Sequence, residues 1–137
     1  IYEKYYAKMQ TPSTPSIPHM FGLKKILANI ETEGLDKRWK RHNDMAEATR
    51  KWALDHGQSL FPESGCESST ITCIQNDLEW DINAINDALL RRGFRMDRGY
   101  GKYRGKTFRI AHMGNVFPVD LEDSLHSFDT VLEEIRS

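Results

Sequence analysis

The stretch Arg98-Gly99-Tyr100-Gly101-Lys102-Tyr103-Arg104-Gly105-Lys106-Thr107-Phe108-Arg109-Ile110-Ala111-His112-Met113-Gly114-Asn115 carries two signals in succession. Gly99, Gly101 and Gly105 punctuate its first half, and glycine admits tight turns and close backbone approach. Thr107–Ala111 then gathers β-branched and aromatic residues and reads as a strand, with Phe94-Arg95-Met96 ahead of the loop as another. The glycine spacing matches neither a dinucleotide-binding turn nor a P-loop. Arg109 stands out because a charged side chain inside an otherwise apolar strand needs a partner. Its planar fork suits a carboxylate, gripping both oxygens. A solvated arginine or a salt bridge within the protein fits the same pattern.

Downstream, Asp120 is a candidate cap for a helix whose stripe is Leu121, Leu125, Phe128, Leu132 and Ile135. Upstream, Asp81 is a candidate N-cap for a helix carrying Ile82, Ile85, Leu89 and Leu90, which Gly93 terminates. Ser59-Leu60-Phe61 before Pro62, and Ser69–Ile74, read as two further strands. Nearer the N-terminus, Ile17, Met20, Leu23, Leu27 and Ile30 recur at helical spacing up to Gly34. Leu35, Trp39, Met45, Ala46, Thr49 and Ala53 then form the face of a second helix that Gly57 ends, so the pair reads as a helical hairpin. Residues 1–13 form an extended lead-in, since residues 1–10 keep no period and prolines follow from Pro12. The order predicts an α+β domain over 14–137, a small, largely antiparallel sheet with helices packed on one face.

The 137 residues suffice for one core, and 19 basic against 20 acidic side chains create no field that would draw nucleic acid or an anionic membrane. No apolar run reaches membrane-spanning length and no signal peptide is evident, so a cytoplasmic location is expected. The start without methionine suggests a piece of something longer. Cys66 and Cys73 are read as reduced, and the five scattered histidines make no metal spacing. Lys37–Arg41 reads as a solvated helix face. Thr11-Pro12-Ser13-Thr14-Pro15 offers hydroxyls and amides ahead of a helix, fit either to cap it or to bind an anion such as phosphate.

In order and spacing these features resemble the C-terminal small domain of class V, fold-type I, pyridoxal-phosphate-dependent aminotransferases, the group of alanine–glyoxylate and serine–pyruvate aminotransferases. The matching residues are Thr14-Pro15, the junction Glu33-Gly34-Leu35 between two helices, Arg41-His42, the strand Ser69–Ile74, Gly99-Tyr100-Gly101, Gly105–Ile110 and His112-Met113-Gly114. Ala111 departs from the family's usual glycine. The resemblance implies that Arg109 pairs with the substrate α-carboxylate. It also implies that Thr14 reaches the phosphate of pyridoxal 5′-phosphate bound by the neighbouring subunit of a homodimer. The Schiff-base lysine would lie in a missing N-terminal large domain, leaving no catalytic residue in this segment, which alone would be inactive. The implied reaction passes an amino group between a small amino acid, alanine or serine, and a keto acid, glyoxylate or pyruvate. A cysteine desulfurase of the same class, raised by Cys66, and a non-catalytic α+β binding or dimerisation module are the alternatives.

Overall fold

The computed structural model describes residues 2–136, which fall into two compact units divided between Arg38 and Trp39. The first unit holds α1 (Tyr2–Tyr6), α2 (Ile17–Glu33) and the opening turn of α3 (Leu35–Asp55). The lead-in is therefore not extended throughout, because Tyr2–Tyr6 complete a helical turn. Helix α2 begins where the period changes, with Pro18 at its second position, where an N–H would have no intrahelical acceptor. The stripe of Ile17, Met20, Leu23 and Leu27 is exposed and α2 buries no residue. Gly34 alone stands between α2 and α3, so the multi-residue turn of a helical hairpin is missing.

In the second unit α3 buries His42, Met45, Ala46, Thr49, Trp52 and Ala53, successive turns of one face. Trp39, expected on that face, is exposed, and Trp52 takes the aromatic place in the core. Strands β1 (Ile71–Gln75) and β2 (Thr107–Ala111) pair antiparallel, with Cys73 opposite Arg109 and Ile74 opposite Phe108. Helix α4 (Ile82–Arg91) starts as expected at Asp81, whose side chain accepts from the N–H groups of Asn83 and Ala84, each at 3.0 Å. Its end is closed by Gly93, whose φ of 86° lets Gly93 N donate to Leu90 O and Phe94 N donate to Leu89 O. Helix α5 (Pro118–Arg136) starts two residues before Asp120. Asp120 is thus not the cap residue. It lies in the first turn and reaches back to accept from Phe117 N at 2.8 Å, while Pro118 opens the helix.

Two of the four expected strands shrink to single bridges, Leu60 with Ile74 and Asp97 with Arg109, both antiparallel. Phe61 N still donates to Cys73 O at 3.0 Å before the chain bends at Phe61 and Pro62, and Gly99, with φ of 80°, turns the chain away after Asp97. The sheet thus runs from the Leu60 segment through β1 and β2 to the Asp97 segment, and the α+β class read from the sequence stands.

Alternation along the strands sends Ile74, Phe108 and Ile110 into a core shared with α3, α4 and α5. At its centre Phe128 lies 4.8 Å from Trp52, 5.9 Å from Phe108 and 6.0 Å from Trp80, centroid to centroid. Each fully buried aromatic of this kind contributes about 1.5–3 kcal/mol.

Candidate functional site

The same alternation turns Arg109 away from the core. Register partners share a face, so Cys73, Arg109 and Asp97 form a row across three neighbouring segments on the side of the sheet opposite Phe108. The Arg109 side chain is 37% exposed, so the apolar look of Phe108-Arg109-Ile110 reflects its neighbours' inward direction, not a dry site for the guanidinium.

Its first partner lies within the chain. Arg109 Nε donates to Asp97 Oδ1 at 2.8 Å. The two backbones exchange both hydrogen bonds, Asp97 N to Arg109 O at 3.2 Å and Arg109 N to Asp97 O at 3.0 Å. Gly99 N donates to the same carboxylate oxygen at 2.9 Å. Among the described residues the two outer guanidinium nitrogens of Arg109 have no hydrogen-bond partner. Arg109 holds the Asp97 carboxyl below the usual carboxylate range, and Asp97 in turn raises the Arg109 pKa. Burial pushes the Cys73 thiol up, against the pull of Arg109.

The glycine loop fixes this pair from one side. A Cβ on Gly99 would sit 2.5 Å from the Tyr103 carbonyl oxygen and 2.7 Å from that of Thr107, so only glycine fits. Beside Asp97 an open cleft of about 410 Å³ is lined by Arg95, Arg98 and Arg104, three cations that attract anions toward this edge of the sheet.

Two further groups set the end of β2. His112 is buried with Nε2 3.0 Å from Thr72 Oγ1, and burial, with Arg50 and His42 nearby, lowers its pKa from 6.5 to about 4. Arg41 donates through Nη1 to the Val116 carbonyl and through Nη2 to that of Gly114 at 3.3 Å, with its guanidinium 4.6 Å from the centre of the Phe117 ring. Arg41 is therefore an anchor for the loop after β2, not part of a solvated face. Charge patterning along α3 could not reveal this, because the acceptors are carbonyls from a distant segment. Asp97 was likewise missed. The signal available was register: extending Phe94-Arg95-Met96 by one residue and pairing it with Thr107–Ala111 places an acid beside Arg109.

Thr14 belongs to the first unit, is exposed, and has no hydrogen-bond partner for its hydroxyl among the described residues. Ser16, at the N-cap position of α2, makes no capping bond and instead lies 2.6 Å from His19 Nδ1. The capping role open to this stretch is thus not taken up by its hydroxyls. Cys66 and Cys73 are free thiols. Among the described residues no three His, Cys, Asp or Glu side chains gather as a metal site, and no helix is long and apolar enough to cross a membrane.

No family model matches the chain. Over 98% of its length it is 32% identical to the serine–glyoxylate aminotransferase of Arabidopsis thaliana, of which it spans 34%. It is 30% identical, again over 98%, to the small subunit of a soluble hydrogenase from Synechococcus sp. (strain PCC 6716), spanning 35% of it. The crystal structure of alanine–glyoxylate aminotransferase from Nostoc sp. superposes with a TM-score of 0.84 at 26% identity, over 96% of this chain and 36% of that one. The chain thus spans about a third of the length of the curated relatives it matches. In sequence and in fold it is similar to a segment about a third the length of alanine–glyoxylate and serine–glyoxylate aminotransferases.

Proposed function

We propose that this chain is the substrate-carboxylate-binding small domain of a class V, pyridoxal-phosphate-dependent aminotransferase. The observation that carries the reading is the state of Arg109: its inner nitrogen is held by Asp97, and its outer pair, on the exposed face of the sheet, is without a partner among the described residues. An arginine presented this way offers two parallel N–H donors, the geometry that takes both oxygens of a carboxylate. Fixing the α-carboxylate fixes which bond to the α-carbon stands out of the cofactor plane, so the role of Arg109 is orientation. The arginines of the neighbouring cleft raise the local concentration of an anionic substrate.

Thr14 supports a place for the cofactor. Its exposed hydroxyl ahead of α2, without a partner among the described residues, is a donor suited to a phosphate oxygen, in this reading that of pyridoxal 5′-phosphate bound by the neighbouring subunit of a homodimer. When bound, the cofactor would carry the amino group and act as the electron sink. The lysine that anchors it would come from a large domain outside this segment, so the segment alone should not turn over. Substrates of the relatives point to a small amino acid such as alanine or serine and a keto acid such as glyoxylate or pyruvate, handled in the cytoplasm.

The test is Arg109→Ala in the complete aminotransferase carrying this segment. Loss of a charged hydrogen bond to substrate, worth about 1.5–3 kcal/mol, should raise KM for carboxylate substrates roughly 10- to 150-fold. An unchanged KM would remove the assignment.

A further inference from the structure

We infer that Asp97 is a positioning residue for the substrate, acting through Arg109: its carboxylate holds the inner nitrogen of the guanidinium and aims the two outer nitrogens at a ligand carboxylate. This rests on reading Arg109 as the carboxylate clamp.

An arginine on an exposed sheet face has many rotamers, and a ligand that must select one loses affinity to the ordering of that side chain. Here the selection is made in advance. Asp97 is itself fixed by the paired backbone bonds to Arg109 and by the Gly99 N–H on its Oδ1, so the acceptor is in place before the guanidinium meets it. The contact is made at Nε, 2.8 Å away, the one nitrogen whose occupation leaves the end-on fork whole. A carboxylate beside the clamp also repels an incoming anion, and Arg95, Arg98 and Arg104, lining the cleft that Asp97 shares, offset that charge. The ion pair is half-exposed on both sides, at 37% and 41%, so it adds little to folding, and its loss should be read in binding.

The experiment compares Asp97→Asn, Asp97→Ala, Arg109→Ala and the double alanine variant in the complete aminotransferase carrying this segment, measuring KM and kcat for amino-acid and keto-acid substrates. We expect Asp97→Ala to raise KM about tenfold with kcat within about twofold of wild type. Asp97→Asn should fall between, because the amide oxygen still accepts from Nε. The double variant should be no worse than Arg109→Ala, since Asp97 acts only through Arg109. Two results overturn the inference while leaving the clamp intact: a KM that rises with Arg109→Ala but not with Asp97→Ala, or a double variant whose loss is the product of the two single losses. If Arg109→Ala itself leaves KM unchanged, the clamp fails and this role falls with it. Should Asp97→Ala not fold, the near-isosteric Asp97→Asn decides alone, and a wild-type KM there overturns the role.

Discussion

His112 offers a perturbation whose size follows from its surroundings. The ring is fully buried, bonds Thr72 through Nε2, and leaves Nδ1 without a hydrogen-bond partner among the described residues. Burial first, then the charge of Arg50 and the neighbouring His42, lower its pKa from 6.5 to about 4. The unfolded chain therefore takes up a proton as pH falls through 6.5, whereas the folded chain resists until about pH 4. Stability is at its full value above pH 7, and falls across that window by at most 1.36 kcal/mol per pH unit. The whole loss corresponds to about 3 kcal/mol, a substantial fraction of typical domain stabilities of about 5–15 kcal/mol. Urea unfolding followed by tryptophan fluorescence reports it, because Trp52 and Trp80 belong to the same core. Measured at pH 7.5, 6.5, 5.5 and 4.5, wild type should lose stability faster than His112→Gln, which cannot titrate. Acidic groups such as Asp77 and Asp97, whose pKa values are lowered in the fold, cancel in that comparison. Parallel pH curves for the two proteins would refute the reasoning.

Two further substitutions probe the frame of the site. Gly99→Ala introduces a Cβ 2.5 Å from one carbonyl oxygen and 2.7 Å from another at a φ of +80°, and should destabilise by roughly 2–4 kcal/mol. Thermal unfolding measures this directly, and a midpoint within a degree of wild type would mean that the loop has another conformation. Phe108→Ala removes a fully buried ring packed against Phe128 and Trp80 and should cost about 3–5 kcal/mol by urea titration. A loss below about 1 kcal/mol would show that the ring is not central to the core.

The local grammar of the chain determined most of its elements. Asp81 and Gly93 bound α4 because capping bonds and a left-handed glycine act within a few residues of each other. Gly34 and Gly57, both at positive φ, end α2 and α3 for a similarly local reason, and the stripe of α5 is core from Leu121 to Leu132, with Leu125 partly buried, while Ile135 is exposed. The ordered motifs that end in Thr107–Ala111 likewise pointed to the family. What lay beyond reach depends on neighbours distant along the chain. Leu60 and Asp97 make bridges and not strands because pairing is decided by turns after them. Arg41 looked solvated until the loop of Gly114 and Val116 came within reach of its nitrogens. Arg109 was legible as an oddity, a charge between Phe108 and Ile110. Only the register of three segments decided that it faces away from the core, with Asp97 on its inner nitrogen and its outer pair open, because antiparallel pairing puts directly opposed side chains on one face.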